Sequence, residues 1–239
     1  MIDFHSHILP GMDDGSKDLA ESLALVQILA EQGVETVVAT PHFYANHESV
    51  DRFLARRQAA YELLTRHLPE GAPRILLGAE VRYYEGISRL SDLKSLRIQG
   101  SKLLLLEMSM SRWTEYTVRE LEDLSRFRDV TLVMAHIERY LGVQDPAVLD
   151  RLLSDGILMQ VNAGFFNRFL TRRKALRMLA DGTVHLVGSD CHNLTDRPPM
   201  LHKAYQTIAK KLGDGFVTQM NDYAGDLLAR SGETHRYSL

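Results

Sequence analysis

An α/β fold, built from repeated βα units around a parallel sheet, is the class this sequence predicts, and three observations predict it. Seven short, nearly continuous apolar runs are spaced along the chain, as expected of strands covered on both faces. Segments of helical period separate them, so strand and helix alternate. The chain has 239 residues, 45% of them apolar, and barrels of this class often run to about 200–250 residues as one unit. No low-complexity linker or composition break interrupts it, so residues 1–239 are expected to form a single domain.

In chain order the runs are Ile2–His5, Glu35–Thr40, Ile75–Glu80, Lys102–Glu107, Thr131–His136, Ile157–Asn162 and His185–Asp190. After the first, Asp18 and Glu21 form a capping pair. Leu19, Leu23, Val26 and Leu29 or Ala30 then share one helical face, and Gly33 closes the helix. Further helical periods cover Glu48–Leu68 (with Pro69 beyond), Tyr116–Phe127, Asp145–Ser154, Arg172–Ala180 and a region from about Pro199 to Ala229.

The bulk numbers exclude several classes. A formal charge of -3 gives no general pull toward nucleic acid or acidic membrane. The one cysteine, Cys191, has no intrachain partner, which fits a reducing compartment. No positively charged and then apolar leader precedes Asp3, and no apolar run approaches the roughly 18 residues of a membrane span. A cytoplasmic chain, with neither a nucleic-acid partner nor membrane insertion, is expected; its oligomeric state is not readable.

The chemistry gathers where the runs end. The first ends in His5 with His7 beyond it, the second at Thr40-Pro41-His42, and the next two in Glu80 and Glu107. The fifth ends in His136, the sixth in Asn162, and the last in Asp190 with His192 two residues on. In a parallel barrel all these ends lie on one face, where active sites are built. Side chains two apart on a strand point to the same side, so His5 and His7 can converge on one ion, as can Asp190 and His192. Imidazole and carboxylate donors suit Zn, Mn or Fe better than Ca, and one cysteine excludes a thiolate-rich zinc site. One such histidine alone is usually a hydrogen-bonded rim residue. Five of the ten histidines at predicted strand ends, with Glu80, Glu107 and Asp190, point instead to metal. The other five, His47, His67, His185, His202 and His235, receive no role. Five imidazoles and three or four carboxylates exceed what one ion takes and suit two or three. Clustered ions acidify a bound water and clamp the oxygens of a phosphoryl transfer, so hydrolysis of a phosphate ester is expected.

These residues resemble a known family. HSH in the opening stretch DFHSHILPGMDDG, TPH at 40–42, GAE at 78–80, AHIERY at 135–140, QVN at 160–162, SDCHN at 189–193 and RPP at 197–199 are similar to the polymerase and histidinol phosphatase (PHP) superfamily. More closely, they resemble the bacterial PHP-type protein-tyrosine phosphatases that regulate capsule and exopolysaccharide synthesis. The resemblance implies a distorted (β/α)7 TIM-like barrel and two or three divalent ions, manganese first, with Fe or Zn possible. It implies one ion on His5, His7, Glu80 and Asp190, and a second on Glu80 as bridge with Glu107 and His136. A third would sit on Asp14, His42 and His192, with Asp13 as the alternative to Asp14. Arg139 and Arg197 match the family's phosphate-binding arginines, whose forks pair with phosphate oxygens in a bidentate way. The implied reaction is attack of metal-activated hydroxide on phosphotyrosine. The implied substrate is a phosphoprotein, the tail of a cognate bacterial tyrosine kinase. A small-molecule activity, such as histidinol-phosphate hydrolysis, is the alternative.

One competing reading runs through the same stretch. Cys191 and Arg197 make a C-x5-R spacing, the core of thiolate-dependent tyrosine phosphatases. But CHNLTDRPP has no glycine to let a phosphate-cradling loop curl, and two prolines follow the arginine.

Overall fold

The computed structural model describes residues 1–90 and 92–229; His235 and the last ten positions of the expected domain lie outside them. All strand pairings named below are parallel. The strands are β1 (Ile2–Ser6), β2 (Thr36–Ala39), β3 (His42–Phe43), β4 (Arg74–Leu77), β5 (Glu80–Arg82), β6 (Leu103–Glu107), β7 (Thr131–Met134), β8 (Leu158–Asn162) and β9 (Leu186–Gly188). Two of the seven expected runs differ in the structure. The second ends as β2 at Ala39, and beyond Thr40-Pro41, where proline has no N–H for the ladder, the chain pairs again as β3, past the expected run. The third breaks at Gly78-Ala79 into β4 and β5. The sheet therefore divides into β1-β2-β4 and β3-β5-β6-β7-β8-β9. It curls until its edges meet: the Asp190 N–H donates to the His5 carbonyl at 2.7 Å, the His7 N–H donates to Cys191 at 2.9 Å, and Ser6 bridges Cys191. Seven strand positions thus form the expected distorted barrel.

The helices wrap the outside. They are α1 (Leu19–Glu31), α2 (Val50–Thr65), α3 (Glu115–Ser125), α4 (Pro146–Ser154), α5 (Ala163–Asn167), α6 (Phe169–Ala180), α7 (Leu201–Leu212) and α8 (Asp214–Ala229). The Asp18 side chain caps α1 by accepting the Glu21 N–H, and Asp145 caps α4 with Pro146 at its first position. The second helix is shorter than its apolar period, starting from a Ser49 cap. Helix also begins well before Arg172, because α5 follows β8 directly. Its residues Ala163–Asn167 are too few to display a period.

Two apolar layers follow from the period of two. Val37, Ala39, Leu104, Leu106, Leu132 and Met134 face outward into the core shared with the helices. Val38, Leu76, Leu103, Leu105, Leu158 and Leu186 face the barrel interior, and Ala224 of α8 packs against them. Each interior column continues upward to a polar residue: Val38 to Thr40 and His42, Leu105 to Glu107, Leu158 to Gln160 and Asn162, Leu186 to Gly188 and Asp190. The apolar floor and the polar mouth are two ends of the same stripes.

Candidate metal centre

Strict alternation would not bring His5 into this mouth, because Phe4 beside it already faces the interior. A register irregularity between Asp3 and Ser6 re-aims the chain. Two glycines make room: a Cβ at Gly188 would collide with His5, and one at Gly15 with His7. His136 and Asp190 adopt left-handed backbone angles, φ 35° and 53°. Such conformations are costly for non-glycine residues and cluster at functional sites.

The buried imidazoles are oriented from behind. Oε1 of Gln160 accepts the His136 backbone N–H at 2.7 Å, which fixes the amide; the same oxygen therefore accepts His5 Nδ1–H at 3.2 Å. His7 Nδ1–H donates to Asp13 Oδ2 at 2.7 Å, and His192 Nδ1–H to the Asp190 carbonyl at 3.1 Å. Each of the three thus presents an Nε2 lone pair to the centre, the arrangement that metal-ligating histidines adopt. His136 Nδ1 lies 3.4 Å from the Tyr140 hydroxyl, and its Nε2 lies 2.7 Å from Glu80 Oε1.

At the centre, groups that should repel are held together. His5 Nε2 and His7 Nε2 are 3.1 Å apart. Glu80 Oε2 is 3.1 Å from the first, 3.2 Å from the second and 3.1 Å from His42 Nδ1. Asp190 Oδ1 is 3.6 Å from both Nε2 atoms. Two donors bound to one ion at about 2.0–2.2 Å stand roughly 3.0–3.5 Å apart, and these separations match that spacing. Asp190 Oδ1, His42 Nδ1 and His192 Nε2 are buried without a hydrogen-bond partner, so a cation would satisfy atoms that the protein leaves unsatisfied. The donors fit the metals the sequence implies.

The charge balance agrees. Burial alone would lower His7, but the Asp13 carboxylate and Glu80 outweigh it and raise the imidazole to about 10. Burial likewise opposes His5, which Glu80 and Asp190 raise. Burial opposes ionisation of Glu80, but His5 and His136 hold it well below the usual carboxylate range. Positive charge is demanded at this point, from protons or from metal.

Three donor groups are brought within 4.8 Å: His5, His7 and Asp190; His42, Glu80 and Glu107; and His7, Asp14, His42 and His192. These groups differ from the expected sets: Glu80 falls with His42 and Glu107 rather than with His5 and His7, His7 joins Asp14, His42 and His192, and His136 falls in none of the three. His42 turns Nδ1 to Glu80 while Nε2 lies 3.4 Å from Asp14 Oδ1, so it joins two groups. His136, expected beside Glu107, lies 3.6 Å from Glu107 Oε1. Of the two neighbouring aspartates, Asp14 Oδ1 faces His42 and, at 3.6 Å, His192 Nε2, whereas Asp13 lies behind His7.

Arg139 and Arg197 stand on the rim, about one-third exposed, and both donate to Asp190 Oδ2, at 2.9 and 2.7 Å. Asn162 Nδ2 donates to the same oxygen at 2.7 Å. One oxygen of Asp190 is saturated from outside while the other faces His5 and His7. Sequence reasoning missed Gln160, Tyr140 and Arg82, whose guanidinium lies 2.9 Å from Glu107 Oε2. QVN and AHIERY contain the first two, but neither residue type signals metal. Cys191 is fully buried, and burial pushes its thiol up, away from the reactive thiolate. A cleft of about 350 Å³, lined by Asp14, His42, Tyr44 and Arg52 among others, opens beside the Asp14–His42 group.

Comparison with known proteins places this geometry. A family model described as capsular polysaccharide synthesis, CpsB/CapC, matches residues 1–228. The tyrosine-protein phosphatase YwqE of Bacillus subtilis is 31% identical over 238 residues, covering 97% of this chain and 92% of that protein. The tyrosine-protein phosphatase CpsB of Streptococcus pneumoniae is 34% identical over 230 residues, covering 89% and 91%. A solved structure from work on these two proteins, described as unique metal-dependent tyrosine phosphatases, has a TM-score of 0.83 at 25% identity, over 99% of this chain and 97% of that one. A histidinol phosphatase structure from Listeria monocytogenes, itself a tentative assignment, shares the fold at a TM-score of 0.52 and 12% identity, over 91% of this chain and 99% of that one.

Proposed function

The chain belongs to the CpsB/CapC family of capsular polysaccharide synthesis, and from that membership we infer a metal-dependent tyrosine-protein phosphatase. The protein hydrolyses phosphotyrosine on protein substrates. The observation that carries the metal dependence is the His5–His7 pair with its two inward Nε2 atoms 3.1 Å apart beside Glu80. Such a pair is stable only around positive charge.

The residue roles are our assignment. His5, His7, Glu80 and Asp190 would hold one divalent ion; Glu107 and His136, with Glu80, would hold a second; Asp14, His42 and His192 would hold a third. Manganese is the metal the family resemblance implies first, with iron or zinc as alternatives, and nitrogen and oxygen donors suit all three. Bound ions supply Lewis acidity toward phosphoryl oxygens and a water more acidic than bulk. Gln160 and Asp13 keep the imidazoles in the tautomer that leaves Nε2 free. Arg139 and Arg197 bind the phosphoryl group through the N–H groups that Asp190 does not use, and neutralise charge as it develops. The tyrosine oxygen departs toward the open rim, where water can protonate it.

The finer reading is that the substrate is the phosphorylated tail of a cognate bacterial tyrosine kinase in polysaccharide export, met in the cytoplasm by one catalytic domain. No helix among the described residues is long and apolar enough to cross a membrane.

Side-by-side turnover of a phosphotyrosine peptide and histidinol phosphate, with metal analysis of the same sample, tests this. Phosphotyrosine should be the better substrate, and chelation should abolish turnover until Mn is returned. Preference for histidinol phosphate would overturn the substrate, and full activity without metal would overturn the chemistry.

A further inference from the structure

One part of the rim carries apolar side chains that the fold does not use. Phe169 and Leu170 are 87% and 90% exposed. They open α6, just after α5, which itself starts where β8 delivers Asn162 to Asp190. Asn167 Nδ2 donates to the carbonyl of Met200, three residues beyond Arg197, so this corner borders the arginine side of the metal centre.

Their exposure is imposed. Thr171 Oγ1 donates to the Phe165 carbonyl at 2.7 Å, and Arg172 Nε donates to the Phe166 carbonyl at 3.1 Å. These bonds clamp the α5–α6 junction so that Phe166 is buried in the core while Phe169 and Leu170 stand outside it.

The ridge is also strongly cationic in a chain that is acidic overall. Residues 163–180 contain five arginines and lysines and no aspartate or glutamate. Arg168, Arg173, Lys174 and Arg177 are exposed beside the apolar pair. An exposed apolar pair on a segment whose charged residues, 163–180, are all cationic is complementary to an acidic segment that carries an apolar residue.

We propose that the Arg168–Arg177 ridge docks the polypeptide flanking the phosphotyrosine: an acidic stretch whose apolar side chain covers Phe169 and Leu170 while its phosphate reaches Arg139 and Arg197. This rests on the protein-phosphatase reading above and gives it a specificity surface outside the chemistry. Binding energy from such a remote segment sets which phosphoprotein is selected.

The test compares two substrates on the full chain loaded with metal: p-nitrophenyl phosphate, which has no flanks, and a phosphotyrosine peptide with acidic and apolar flanks. Phe169→Ser with Leu170→Ser, and separately Arg173→Glu with Lys174→Glu, change only exposed positions. Each pair should lower kcat/KM for the peptide about tenfold or more, chiefly through KM, and leave p-nitrophenyl phosphate unchanged. The peptide's advantage over its neutral-flank version should shrink with added salt. Equal loss on both substrates would overturn the proposal, as would unchanged peptide kinetics. Loss of binding to vesicles of anionic phospholipid, or of a dimer in sedimentation, with peptide kinetics intact would assign the ridge to a membrane surface or a second copy instead. Wild-type protein that turns over neither substrate would overturn the phosphatase reading itself.

Discussion

The carboxylate of Asp13 lies 2.7 Å from Nδ1 of His7, on the opposite side of that imidazole from the metal-facing Nε2. Its Oδ2 also accepts the His42 N–H at 2.8 Å, and Oδ1 accepts the Gly15 N–H at 2.9 Å. Both oxygens are committed to holding protein groups. Asp14, the next residue, is 66% exposed at its side chain and turns Oδ1 toward His42 and His192. Two adjacent aspartates therefore have different tasks, and two substitutions separate them. Asp14→Asn should remove close to one equivalent of metal. Asp13→Asn should keep the stoichiometry but weaken affinity by about 10–100-fold, the usual cost of losing a partner behind a ligating histidine. Metal titration followed by elemental analysis of both variants checks this.

That distinction marks where sequence reading stops. Strand ends and the i, i+2 rule located His5, His7, His42, Glu80, Glu107, His136, Asp190 and His192, because those signals are local. The choice between Asp13 and Asp14 depends on how the loop folds back over His7 at Gly15, which is not local. Gln160 was legible only as a strand residue; its link to His5 and His136 spans strands. The left-handed backbone at His136 and Asp190 and the bulge that re-aims His5 leave no pattern in composition or period. Helix α5 went unread because five residues show no periodicity.

Arg139 and Arg197 share Asp190 Oδ2 with Asn162, so removing one arginine leaves that oxygen two donors. Arg197→Ala should therefore retain metal while lowering kcat/KM for phosphotyrosine by about 10²–10³, the range for one lost donor to developing charge. Arg197→Lys should not restore it, because a lysine cannot offer the same fork. Elemental analysis beside steady-state kinetics decides the matter. Metal loss in Arg197→Ala would reassign the residue to holding Asp190.

Metal should also be part of the fold's stability. The centre places Glu80, 1% exposed, among four imidazoles, and ions that bind only the folded state stabilise it in proportion to the logarithm of their concentration. Chelation should lower the thermal midpoint. Returning Mn should raise it in a concentration-dependent way, and differential scanning calorimetry reads both. The midpoint of Asp14→Asn should respond less than that of the wild type.

Gly188 tests the packing that positions His5. An added Cβ would collide with the Cβ and backbone nitrogen of His5, so β1 or β9 must shift. Gly188→Ala should cost about 1–3 kcal/mol in urea unfolding, as overpacking does. It should also lower metal affinity, whereas Gly142→Ala, where a Cβ meets nothing within 4 Å, should do neither.

The pH dependence of stability has a contributor away from the metals. His185 is the acceptor of the Met159 N–H, through Nδ1 at 3.1 Å, and burial lowers its pKa from 6.5 to about 4. Protonating Nδ1 would break that bond and bury a charge. Between these two values the unfolded chain takes up a proton that the folded chain refuses, so stability is lost as pH falls through this window and is fully present above it. The loss from about pH 7 to about pH 5 should be on the order of 2 kcal/mol. His185→Asn keeps an acceptor but cannot titrate. Urea unfolding of metal-free protein at both pH values should give a smaller fall for the variant than for the wild type. Equal falls would mean that His185 protonates freely in the folded protein.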